Sequence, residues 1–262
     1  MLEKIFRNKY LVKKLIIRDI KNKYKGSVLG MVWQWIVPIM MLGVYTFVFS
    51  EVFQARWNAN VNDKYQFAMT MFCGLSVFNV LAEVMNRSSA LIRQNQNYVK
   101  KVVFPLELLP FVVVVSSLFN CLINLLILAG AKLVIYRTVS LRLILLVPAL
   151  IPVFYIALGV CLFLSALSVY LRDVGSVITV IVAVLMYATP VFYSSSAVPD
   201  KYRLFNRLNP LTYMIENVRS IILYDEPINM SDYMVSLLVA IALYFLGLSI
   251  FKRSKEGFAD VI

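Results

Sequence analysis

Charged residues divide the chain into six long uncharged stretches, at 26–50, 65–82, 108–131, 143–171, 174–199 and 233–251. A helix rising about 1.5 Å per residue needs roughly 20 residues to cross the hydrocarbon core of a bilayer, so each stretch crosses once and none crosses twice. The second and sixth are short and borrow length from their flanks. The pattern predicts an all-α integral membrane protein with six transmembrane helices, at about 26–53, 65–88, 106–135, 142–169, 174–194 and 232–252. An even count puts both termini on one side. The first stretch is a permanent span, because it is longer than the apolar part of a signal peptide and no small-x-small cleavage site follows it.

The segments between the spans also carry patterns. Over about 4–25, Val12, Ile16, Ile20 and Tyr24 recur every four residues with Leu11 and Leu15 beside them, while Lys9, Lys13, Lys14, Arg18 and Lys21 fall elsewhere around the wheel. This predicts a basic amphipathic helix lying in the headgroup plane, its cations near anionic lipid. The connection from Arg93 to Pro105 is polar first and apolar afterwards, and Pro105 and Pro110 restart the chain. Two readings fit it: a short helix offering Tyr98, Val102 and Phe104 to a partner's groove, or a loop anchored by its lysines. From about Ser194 to Ser231, Leu204, Phe205 and Leu208 form one short apolar face, and Leu211, Met214, Ile215, Val218, Ile221 and Ile222 form another. Two amphipathic helices too short to span follow from this, either dipping into the outer leaflet or resting on its surface.

Composition narrows the chemistry. The apolar share is 61%, only 15% of residues are charged, and the mean hydropathy is +0.78, values that nearly exclude a water-soluble enzyme. Histidine is absent, and no Cys-x-x-Cys or His-Glu-x-x-His spacing occurs, so zinc chemistry and histidine-based catalysis fall away. Cys73, Cys121 and Cys161 each lie inside an apolar run and read as small hydrophobes. No Gly-x-x-x-x-Gly-Lys-Ser/Thr loop is present to cradle nucleotide phosphates, so energy for any transport comes from another polypeptide. Seventeen of the 26 Lys and Arg fall on the side of the termini, nine of them before the first span, which makes both ends cytoplasmic by the positive-inside rule. The net charge of +12 is then a topology and anionic-lipid signal, and no nucleic-acid partner is implied. Glu83, Glu107 and Lys132 lie near span ends, within snorkelling reach of an interface.

Aromatic residues cluster near the outer ends of the first and fifth spans: Tyr45, Phe47, Phe49, Phe53 and Trp57, then Tyr187, Phe192 and Tyr193. They fit an interfacial belt, and they equally fit a lining on which sugar faces slide. Gly26 and Gly30, close to Tyr24 and Trp33 at the start of the first span, fit either a close helix approach or a hinge.

The run Arg18-Asp19-Ile20-Lys21 through Tyr24-Lys25-Gly26-Ser27-Val28-Leu29-Gly30, with Trp33, Pro38 and Tyr45 to Phe49, resembles the amino-terminal signature of ABC-2 type polysaccharide export permeases. These are membrane subunits that export O-antigen, capsule or teichoic acid. Further matching blocks are Asn97 to Pro105, Tyr170 to Val174 with Thr189 to Tyr193, and Leu208 to Leu211 with Glu216 and Arg219. The resemblance covers almost the whole chain in order, as a single transmembrane domain over 1–262. It implies an interfacial helix, six spans, a cytoplasmic coupling helix and re-entrant helices before the last span. By the same resemblance, residues 93–104, with Asn97, Tyr98, Lys100, Lys101 and Phe104, dock on an ATP-binding cassette subunit present in two copies, which holds ATP and Mg; this chain binds no cofactor or metal. Tyr45, Phe49, Phe53, Trp57, Tyr187, Phe192 and Tyr193 become candidates for the substrate channel. Tyr24, Gly26, Gly30 and Trp33 become candidates for an interfacial gate.

The leading expectation is therefore a transport subunit, not an enzyme, of the bacterial inner membrane. Two copies frame a pore through which lipid-linked polysaccharide, O-antigen first, leaves the cytoplasm. Capsule or teichoic acid export and drug efflux share the architecture. A membrane-embedded glycosyltransferase would need paired acids at a membrane face, and Asp225 and Glu226 are the only adjacent ones.

Overall fold

The structure, a computed structural model, describes residues 1–55, 57, 63–99, 104–138 and 141–261. Among these residues there is no strand. A short helix, Leu2–Arg7, precedes α1, Lys9–Asn22, on which Val12 and Ile20 of the four-residue period and the neighbouring Leu15 are buried, Ile16 is half-buried and the lysines stay exposed. Then come α2 (Gly30–Val52), α3 (Gln66–Ser88), α4 (Leu108–Tyr136) and α5 (Leu141–Tyr170). After them come α6 (Val174–Ala188), α7 (Pro210–Arg219) and α8 (Met230–Ser254). Five of these, α2, α3, α4, α5 and α8, are long and apolar enough to cross a membrane.

The fifth expected span differs. At 15 residues, α6 reaches only about 22 Å, short of the roughly 30 Å hydrocarbon core. Its end is written in Thr189-Pro190: proline disfavours helix in the residue before it, and Thr189 is extended at φ −102° and ψ 142°. The chain still runs nearly the full depth of α3. Gly175 lies against Ser89 at one end, and the Val191 carbonyl meets the Arg219 side chain at the other, where Arg219 also bonds the Thr70 carbonyl.

Helix α3 is the axis of the bundle. Sixteen of its 23 residues are buried, and it packs on α4, α5, α6 and α7. Helix α2, by contrast, buries only Gln34, Leu42 and Ser50, its other residues being half-buried or exposed. The tightest crossing is between α5 and α8 at Gly159 and Gly247, where a Cβ on Gly159 would lie 2.6 Å from the Leu243 carbonyl. Only glycine permits that approach, an example of small residues letting membrane helices meet backbone to backbone.

Side-chain bonds sort the loops onto two ends. At one end the Met1 sulfur accepts from the Tyr244 hydroxyl at 3.7 Å, Lys255 pairs with Glu107 at 3.3 Å, the Tyr170 hydroxyl donates to the Ser254 carbonyl at 2.7 Å, and Arg93 donates to the Ser168 carbonyl. Glu107 is thus buried and ion-paired where snorkelling was expected. At the other end Lys132 donates to the Ile222 carbonyl at 2.9 Å, Arg142 to the Asp225 carbonyl, and Tyr233 to the Pro148 carbonyl at 3.2 Å. Lys132, too, is buried. The first end holds residues 1–25 with their nine cations and is called the basic end below.

Candidate functional site

At the basic end, α1 is held by charge as well as by its apolar face. Asp19 pairs with Arg87, Lys23 with Glu83, and Arg87 returns to Glu83 at 3.2 Å. Burial, and then the Glu83 carboxylate, push the Tyr24 phenol above its ordinary pKa. Gly26 and Gly30 follow at φ 88° and φ 52°, with open space where a Cβ would stand. Their positive φ lets the chain turn from α1 into α2. Trp33 opens the first regular turn of α2, half-buried.

The segment after α3 forms two short helical turns, Leu91–Gln94 and Gln96–Val99. Asn97 is exposed on the second. Tyr98 and Phe104 stack on each other with centroids 4.4 Å apart, and the Tyr98 hydroxyl accepts from Arg18 of α1 at 3.0 Å. These two rings, expected to enter a partner's groove, therefore brace the segment against α1, leaving Gln94, Gln96 and Asn97 as the outward face. Lys100, Lys101 and Val102 lie outside the described residues.

The aromatic candidates form two groups, with no ring pair joining them among the described residues. On α2, Tyr45 meets Phe49 and Phe72 at 6.5 Å each, Phe49 stacks on Phe67 at 5.1 Å and meets Phe53 at 5.8 Å, and Trp57 meets Phe67 edge-on at 5.5 Å. At the end of α6, Tyr187 lies 6.0 Å from Phe192 of the following segment, and the Tyr193 hydroxyl donates to the Tyr187 carbonyl at 3.1 Å. Phe53 (67%) and Tyr187 (68%) present the freest rings; Tyr45, Phe49 and Trp57 are partly consumed by packing.

Behind the α2 group sits Arg219, wholly buried. Its guanidinium donates to the carbonyls of Thr70 and Val191 at 3.1 and 3.0 Å, pairs with Glu216 at 3.0 Å, and lies 4.6 Å from the Trp57 ring. Glu216 in turn accepts from Ser195 at 2.9 Å. Glycine at 74 makes room, since a Cβ there would lie 2.6 Å from Arg219 Nη2. Arg219 thus fastens α7 to α3 and to the chain after α6. All six apolar positions expected at Leu211 to Ile222 are buried, so α7 docks into the bundle and does not rest on a surface. The preceding helix, Arg203–Leu208, does the opposite: Leu204, Phe205 and Leu208 face outward and Asn206 turns in to bond Thr212 at 2.9 Å.

One feature lay unnoticed in the apolar runs. Ser76, Asn79, Glu83 and Asn86 of α3 and Ser117, Asn120 and Asn124 of α4 line a single cleft of about 410 Å³. Asn120 accepts from Gln34 of α2 at 2.8 Å and donates to Glu83 at 3.3 Å. Asn79 and Asn86 are exposed. An amide left without a partner in hydrocarbon costs roughly 2–7 kcal/mol, so this face belongs against water or polar matter. The signal available in sequence was polar residues at steps of three and four inside spans.

The geometry so far is that of a helical membrane bundle with a basic interfacial helix, a short braced turn after its second helix, and a docked non-spanning helix before its last. Three relatives match the chain in sequence over nearly their whole length. The O-antigen export system permease protein RfbA of Klebsiella pneumoniae is 25% identical over 257 residues, covering 97% of this chain and 96% of its own. That of Myxococcus xanthus is 24% identical over 264 residues, covering 100% and 99%, and a second Klebsiella pneumoniae protein is 24% identical over 257 residues. The family model described as ABC-2 type transporter matches residues 10–223, from α1 to the end of the docked helix, and the chain therefore belongs to the ABC-2 type transporter family.

Proposed function

We propose that this chain is the membrane permease subunit of an ATP-driven exporter that carries a lipid-linked polysaccharide, O-antigen, from the cytoplasm to the periplasmic side of the bacterial inner membrane. The observation that carries this is the near end-to-end match to three proteins named as O-antigen export permeases. The chain crosses six times, α6 and its extended continuation making the fifth crossing, with the basic end in the cytoplasm. A separate ATP-binding subunit, two copies with ATP and Mg, docks on the segment 93–104, where Gln94, Gln96 and Asn97 are exposed. Its motion passes through the Tyr98–Phe104 stack and Arg18 to α1, and through the Gly26 and Gly30 hinge to α2. Two copies of the chain bring their open α2 and α6 faces around one pore, and the exposed Phe53 and Tyr187 rings offer sugars weak, sliding contacts.

Deleting the gene from its own cell tests the proposal. Surface O-polysaccharide should disappear while lipid-linked polymer accumulates inside, and plasmid-borne chain should restore export. Normal surface polymer in the deletion strain overturns the reading. Intracellular polymer that fails to form at all points instead to a synthetic role.

A further inference from the structure

The amide-lined cleft lies on a particular side of α3. Phe72, Asn79 and Asn86 follow one another in steps of seven and so share one line along the helix. Phe72 at the far end of that line meets Tyr45 of α2. The adjacent line ends in Ser89, which lies against Gly175 of α6. Asn79 and Asn86 therefore look into the space between α2 and α6, the same space that holds the exposed aromatic rings at the other end. Helix α2 closes the cleft's flank through Gln34 and Asn120.

The lining is chemically specific. Asn79, Asn86 and Asn124 make no side-chain hydrogen bond among the described residues, and the Ser117 hydroxyl is buried inside the cleft without a partner. Each amide offers both a donor and an acceptor, the complement of a sugar hydroxyl. Among the described residues no cation lines the cleft, and the nearby Lys23 and Arg87 are already paired with Glu83 and Asp19. That charge balance suits a neutral, hydroxyl-rich ligand better than a phosphate.

We propose that the cleft formed by Ser76, Asn79, Asn86, Ser117, Asn120 and Asn124 is a hydrogen-bonding subsite for the sugar portion of the exported chain, in the cytoplasmic half of the pore. Sugars meet amides first and aromatic faces later. The inference rests on the export function proposed above, and its test separates the two.

The test uses the complex of this chain with its ATP-binding subunit, reconstituted in nanodiscs, and polyprenyl-linked polysaccharide purified from the producing cells. Replacement of Asn79 or Asn86 by photoreactive benzoyl-phenylalanine should capture the polysaccharide on illumination. The same probe at Leu126, an exposed apolar position of α4, should capture only bilayer lipid. Asn79→Leu combined with Asn124→Leu should lower polysaccharide-stimulated ATP hydrolysis by roughly tenfold, the effect of losing one or two hydrogen bonds, and Asn79→Gln should retain stimulation. Capture of polyprenyl phosphate alone would mark a lipid-headgroup site and overturn the sugar assignment. Capture of a second copy of this chain would mark the amides as helix-to-helix contacts and overturn it equally. If the wild-type complex responds to the polysaccharide but the asparagine probes capture none of it, the cleft assignment fails alone. If the probes capture polysaccharide that does not stimulate hydrolysis, the cleft stands and the export reading fails.

Discussion

Arg219 shows how much of this architecture one side chain holds. Its planar fork reaches two backbone carbonyls on different elements and a carboxylate on its own helix, under the face of Trp57. Removing one member of a buried, paired set strands the others, at about 3–5 kcal/mol. Arg219→Leu should therefore destabilise the protein by that order. Arg219→Lys, which keeps the charge but loses the fork, should fall between Leu and wild type. Thermal unfolding in detergent, followed by a thiol-reactive dye that reads exposure of the buried Cys73, Cys121 and Cys161, measures both. Equal stability of Arg219→Leu and wild type would show that the knot contributes nothing. Glu216 and Arg219 stand out in the sequence, but their partners do not, because Thr70 lies 149 residues away and offers only its backbone.

At the scale of elements, the same residue type serves opposite ends. Gly159 and Gly247 sit where α5 and α8 touch, and a side chain at Gly159 meets backbone that has no room to yield. Gly159→Val should separate the helices and cost more than the usual 1–3 kcal/mol of core overpacking. Gly130 on α4 has nothing within 4 Å of a built Cβ, so Gly130→Ala should stabilise by roughly 0.5–1 kcal/mol through helix propensity. Unfolding midpoints of the two variants should move in opposite directions, and a shared direction would refute the packing argument. Sequence reading reached the long apolar helices, the four-residue period of α1 and the six buried positions leading through α7, because each is a local repeat. It overran α6 past Pro190, and it had the outward face of Arg203–Leu208 undetermined, since an apolar stripe does not say whether lipid or protein covers it. The asparagines of α3 and α4 acquire meaning only when the two helices are side by side, so their spacing alone drew no attention.

The whole molecule adds a constraint that none of its helices carries: where the ends of the chain meet. Glu3 lines one cavity with Lys252, and Met1 touches Tyr244, so the first and last helical turns occupy one end of the bundle. With five long helices alone, the two termini would fall on opposite faces; their meeting is the reason the proposed topology counts α6, with its continuation to Val191, as a crossing despite its 15 residues. In the topology proposed above, that shared end, with nine cations before α2, faces the cytoplasm, where each basic residue would also gain about 1 kcal/mol from anionic lipid. Glu3→Cys and Glu256→Cys should accordingly react with a membrane-impermeant maleimide only in inverted vesicles, and Glu226→Cys only in right-side-out ones. The three native cysteines are buried and should stay silent in both. Reaction of Glu3→Cys and Glu256→Cys from opposite faces would show that α6 does not cross, and with it would go the pore-facing position assigned to Asn79 and Asn86, since α6 forms one wall of the space into which they look.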